Sequence, residues 1–290
     1  MKHTRIVLFY ILALVVSVYA RTVQVLYLTE PKTGFFMEGN RELAFLLCGV
    51  IALSVIASAV ISNFSKRTPK GVPKKSPALT VSGVLLSLSF LYEAALGTAL
   101  SSLHVFSVLC RVFAAISFFG TLLWVVSLYS SKTVPALKLF WLAPVGFLFF
   151  KIFGAFSLYS SLALIADYIF YLFFLCSTLS FFTLLANLEN GYQARNSSFK
   201  LFPAAVCCSV GAALCFVPQF VLLLLGREPS HLPLSTLPLT LAVFIFSLIY
   251  VFGVYKKNNI VRHHRKTHSL KVSETYDDLG DQFLTDGHKK

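Results

Sequence analysis

This sequence predicts an all-α fold: a polytopic transmembrane bundle of eight helices with both termini in the cytoplasm. Three observations predict it. The chain is 57% hydrophobic and 13% charged, with a mean hydropathy of +0.76, and a water-soluble core of this length could not hide so much apolar surface. Apolar runs recur at about 20 residues, the span of a bilayer at a rise of about 1.5 Å per residue. The basic residues alternate from loop to loop as the positive-inside rule requires. Helices satisfy their own backbone hydrogen bonds inside lipid, and the runs far exceed the alternating segments of about ten residues found in membrane barrels.

The eight runs lie near residues 6–28, 43–62, 78–100, 105–129, 138–156, 162–187, 201–225 and 235–255. Lys2, Arg5, the 65–76 loop SKRTPKGVPKKS, Lys132, Lys138, Arg195, Lys200 and the segment from Lys256 carry 19 of the 25 basic residues. The opposite loops hold Lys32, Arg41 and Arg227. Residues 1–255 are therefore expected to form the bundle and 256–290 a polar cytoplasmic tail, largely disordered. The first run admits a second reading. MKHTR followed by IVLFYILALVVSV and Val18-Tyr19-Ala20 has the pattern of a cleaved signal peptide, which would leave seven helices. Apolar character resumes after Arg21 and favours an uncut helix.

The net charge of +13 is explained by topology, so nucleic acid is not expected as a partner. All six cysteines fall inside apolar runs, which suits packing rather than disulfides. His263, His264 and His268 stand in a basic stretch without ligand spacing, and no metal is expected. Walker, HExxH and GxSxG motifs are absent, and no cofactor is expected. Small-residue ladders (Ser54, Ser58, Ser62 and Ala204, Cys208, Ala212) allow close helix approach or a homo-oligomer.

Charged residues inside the runs point to function. Arg21, Glu93, Arg111, Lys151 and Asp167, with Gln219 and His104, fall at one predicted depth, in the outer half of the bilayer. A charge at mid-bilayer costs roughly 2.5–3.5 kcal/mol on the lenient insertion scale, and a short carboxylate cannot snorkel away as Lys and Arg do. Glu93 and Asp167 thus need basic partners, protonation or water. Helical phase puts Ser17, Arg21 and Gln24 on one stripe, and likewise Ser82, Ser89 and Glu93; His104, Ser107 and Arg111; Ser160, Asp167, Tyr171 and Thr178; Cys208, Ala212, Cys215 and Gln219. The expectation is a single outward-facing pocket lined by these residues. Its three cations against two acids leave a positive surplus for an anionic small molecule or a lipid headgroup.

The function this implies is transport or lipid flipping at the cell membrane, with Glu93 or Asp167 carrying a proton. The alternative is a sensor or receptor signalling through the tail. An enzyme acting on lipid headgroups, with His104 and Glu93 as acid and base, is a weaker third.

Overall fold

The computed structural model describes residues 3–30, 35–37, 39–63, 67–69, 76–97, 104–128, 140–159, 166–190, 197–227, 232 and 234–257. Within them run eight α-helices: α1 (His3–Val23), α2 (Arg41–Asn63), α3 (Pro77–Leu96), α4 (His104–Ser127), α5 (Leu142–Tyr159), α6 (Ala166–Glu189), α7 (Ser197–Leu224) and α8 (Leu237–Ile249). α1 continues as a π-helical turn over Gln24–Leu28, and α8 as another over Tyr250–Val254. Seven of these helices are long and apolar enough to cross a membrane, and α5 is a shorter apolar helix over Leu142–Phe156. The protein is a multi-pass membrane bundle. Lys138, expected to open the fifth helix, the basic residues 70–75 and the tail beyond residue 257 lie outside the described residues.

Local chemistry sets the helix ends. α3 starts after an extended Ser76 with Pro77 in its first turn, where a missing N–H is harmless. α7 stops at Gly226, whose φ of +64° is open to glycine at little cost. There the Gly226 N–H reaches the Leu223 carbonyl and the Arg227 N–H reaches the Leu222 carbonyl, the paired bonds of a Schellman cap. α1 passes unbroken through Val18-Tyr19-Ala20 and is integrated in the bundle, its Tyr10 hydroxyl sharing a 2.8 Å hydrogen bond with Ser209 of α7.

Helix adjacency divides the bundle in two. α3, α4, α5, α6, α7 and α8 each pack on the next, and α3 closes the circle against α8. The α1–α2 hairpin docks on the outside of this ring, on α7. Small residues make α7 the hub: a Cβ on Gly211 would stand 3.2 Å from the Phe174 backbone of α6. Aromatic side chains fill the ring, with Trp124 edge-on to Trp141 (5.3 Å) and to Phe246 (5.9 Å), and Phe182 stacked on Phe246. Serines that face neighbouring helices return their hydroxyls to their own backbone; Ser58 donates to the Ser54 carbonyl and Ser62 to that of Ala59. A two-stranded antiparallel sheet, β1 (Arg67–Pro69) and β2 (Tyr255–Lys257), joins the chain after α2 to the chain after α8. These two stretches therefore emerge on one side of the bundle.

Candidate functional site

The polar stripes of α1, α3, α6 and α7 turn inward. Ser17, Arg21 and Gln24 are buried, as are Ser82, Ser89 and Glu93; Asp167, Tyr171 and Thr178; and Cys208, Cys215 and Gln219. Ser160 lies outside the described residues.

Two buried ion pairs answer the need of the two acids. The first joins α1 to α6. Arg21 Nη2 donates to Asp167 Oδ1, and both side chains are almost fully buried. Arg21 Nη1 donates to Gln24 Oε1 at 3.0 Å. The Gln24 amide donates in turn to the Ala44 carbonyl (2.7 Å) and the Cys48 sulfur (3.2 Å), both on α2. The guanidinium lies over the Phe170 ring, 4.4 Å from its centroid. The π-helical turn begins at Gln24, and the Thr29 hydroxyl caps the Gln24 carbonyl at 3.0 Å. This opens the helix where the hairpin meets the ring. A cavity of about 10 Å³, room for about one water, lies against the pair and is lined also by Cys215, Pro218 and Gln219 of α7.

The second pair joins α3 to α5 inside the ring. Lys151 Nζ donates to Glu93 Oε1 at 2.5 Å, and both are buried. The ammonium stands 5.1 Å from the Phe147 ring, which packs edge-on against Phe90 at 5.4 Å.

The seven sequence-predicted residues are thus distributed as follows. Arg21, Asp167 and Gln219 meet around one cavity. Glu93 and Lys151 meet each other and do not line it. Arg111 is exposed, and its guanidinium reaches the Gly97 carbonyl at the end of α3 (3.4 Å). A long cation near a helix start can reach the bundle's edge, and that is where Arg111 goes; the interior face of α4 is given to Ala114, Ser117, Thr121 and Trp124. His104 opens α4, and its side chain lies outside the described residues.

Sequence reasoning missed three contributors. Cys48 and Phe170 looked like apolar filling, as did Phe147, and only the pairing of α2 with α1 and of α6 with α1 turns them toward charge. Phase along single helices could not have found them.

A lateral cleft adjoins the first pair. It has a volume of about 490 Å³ and runs between α2 and α6 with Leu214 of α7 at its floor. Phe170 and Leu214 line both the cleft and the small cavity.

The chain matches no family model, no curated protein and no solved structure.

Proposed function

We propose that this protein is a transporter or flippase-like protein of the cell membrane in which an anionic group exchanges with Asp167 on Arg21. Both termini and the polar 256–290 tail are assigned to the cytoplasm on the Lys/Arg bias, which places the pair in the outer leaflet. The observation that carries the reading is the contact between the Arg21–Asp167 pair and a cavity, beside a cleft open to the membrane. A guanidinium held by Gln24 and Phe170 is already oriented to grip a carboxylate or phosphate bidentately. Asp167 already holds that position, so an incoming anion must displace it. A displaced, buried carboxylate is stabilised by taking up a proton. Anion binding and proton uptake therefore go together in this reading. Glu93 and Lys151 act as a brace in this reading, walled by the Phe147 and Phe90 rings. Gln219, on the cavity wall, supplies a neutral amide to the anion.

Hexyl phosphate is a suitable probe, because it is soluble and carries a single anionic head. Added outside vesicles that contain the reconstituted protein and a trapped pH dye, it should acidify the lumen faster than in protein-free vesicles. Arg21→Gln should abolish both binding and acidification. Asp167→Asn removes the competing charge, so it should bind hexyl phosphate about tenfold more tightly, a difference of about 1.4 kcal/mol, and no longer acidify the lumen. Acidification by Asp167→Asn at the wild-type rate would refute the exchange.

A further inference from the structure

The lateral cleft has the shape of an amphiphile's site. α2 presents Phe45, Cys48, Ala52 and Ile56 along one face, at spacings of three and four residues, and α6 faces them with Ile169, Phe170 and Phe173. Phe45, Ala52, Ile56 and Ile169 are exposed. In a membrane-spanning helix that surface meets acyl chains rather than water. From residue 45 to residue 56 the cleft follows α2 for about 16 Å at 1.5 Å per residue. One leaflet's share of a hydrocarbon core about 30 Å thick is about 15 Å. The cleft is thus as long as one leaflet is deep.

Its two ends differ. Gln24 bonds to Ala44 and Cys48, so the Arg21–Asp167 pair lies level with the first turns of α2, at the end where the α1–α2 connection closes. Away from that end the lining is wholly apolar. A polar pair beside one end, with an apolar channel running away from it, is the order of a lipid standing in a leaflet. Phe170 and Leu214 separate head from chain by the thickness of a side chain.

We propose that the cleft between α2 and α6 holds one acyl chain of a membrane lipid whose anionic headgroup engages Arg21. The headgroup assignment rests on the exchange proposed above; the chain assignment rests on the cleft alone. The substrate class is then an anionic lipid rather than a free anion.

The test is photo-crosslinking of the full-length protein in lipid nanodiscs, using phosphatidic acid with a diazirine midway along one chain and phosphatidylcholine with the same chain as comparison. Mass spectrometry of the labelled peptides should place most of the phosphatidic acid adducts on 45–56 of α2 and 169–173 of α6. Ala52→Trp adds a ring inside the cleft at an exposed position and should lower that labelling about tenfold, as would a loss of about 1.4 kcal/mol. Leu123→Trp, on an exposed face of α4, should leave it unchanged. Arg21→Gln should erase the preference for phosphatidic acid over phosphatidylcholine while chain labelling persists. Adducts spread evenly over all lipid-facing helices, or untouched by Ala52→Trp, would overturn the chain site. Equal labelling by the two lipids in the wild type would overturn the anionic headgroup. Failure of hexyl phosphate to acidify vesicles, with cleft labelling intact, would sink the exchange and spare the chain site.

Discussion

The two buried ion pairs share a chemistry and an end of the bundle, yet their surroundings differ. Glu93–Lys151 lies within the ring of six helices, walled by Phe147 and Phe90. Arg21–Asp167 lies on the seam between that ring and the α1–α2 hairpin, with Gln24 and Cys48 beyond it and a cavity against it. A buried charge pair by itself is weak evidence of function, since desolvation offsets much of its Coulomb energy. What separates the pairs is the alternative partners open to each charge. Lys151 would have an aromatic face in place of Glu93. Arg21 would keep an amide, an aromatic face and the adjoining cavity. In the proposed reading Glu93–Lys151 is therefore the brace and Arg21–Asp167 the exchange site.

The largest effect should come from breaking the brace. Glu93→Gln or Lys151→Met alone leaves one charge buried without its counterion, which costs about 3–5 kcal/mol. The double variant Glu93→Leu/Lys151→Met removes both charges and should recover most of that loss. Unfolding free energies from SDS titration of the purified protein would show it. If the double variant stayed as unstable as the singles while hexyl phosphate acidification vanished, the roles of the two pairs would have to be exchanged.

Asp167→Asn should cost less, about 2 kcal/mol, the range for a hydrogen bond to a charged group. Arg21 keeps Gln24 and Phe170, and the asparagine oxygen can still accept. The same SDS titration compares it directly with Glu93→Gln. A loss as large as that of the brace would mean that Arg21 has no real alternative partners.

Much of this arrangement was legible in the sequence, and the reason is physical. Helix number, approximate ends and the inward turn of the polar stripes follow from hydropathy, loop charge and a 3.6-residue period, all local properties. The depth rule placed Arg21, Glu93, Lys151 and Asp167 where basic and acidic side chains meet. It could not say which cation takes which acid, because that depends on adjacency: α1 reaches α6 across α7, and α3 reaches α5 inside the ring. The same gap explains Arg111, which shares a depth with the others but faces outward. It also explains the cleft, whose walls are separated by more than a hundred residues of chain and carry no motif.

Packing offers a sharper version of the contrast. On Gly146 of α5, one turn before the brace, a Cβ would stand 2.5 Å from a ring carbon of Phe113 on α4. On Gly49 of α2, in the hairpin, it would meet nothing within 4 Å. Gly146→Ala should therefore destabilise by at least about 1 kcal/mol, the low end of overpacking costs. Gly49→Ala should be neutral or slightly stabilising, since alanine suits a helix better than glycine. Equal responses would mean that the ring is no tighter than the hairpin.

The smallest effect tests the far end of the hydrogen-bonded chain that runs from Arg21 through Gln24 to Cys48. The Gln24 amide has two hydrogens, one used on the Ala44 carbonyl at 2.7 Å and one on Cys48 sulfur at 3.2 Å. Sulfur is a weak acceptor, so Cys48→Ala should cost no more than about 0.5 kcal/mol, the low end of neutral hydrogen bonds. Gln24 would remain anchored through Ala44, and Arg21 would keep its place. Hexyl phosphate acidification should be unchanged, while Cys48→Leu, which narrows the cleft without touching the pair, should reduce lipid crosslinking alone. Were Cys48→Ala to cost as much as Asp167→Asn, the hairpin would be held by its hydrogen-bonded chain rather than by Arg21–Asp167. An anion displacing Asp167 would then loosen little at this seam, and the distinction between brace and exchange site would fail at its cheapest test.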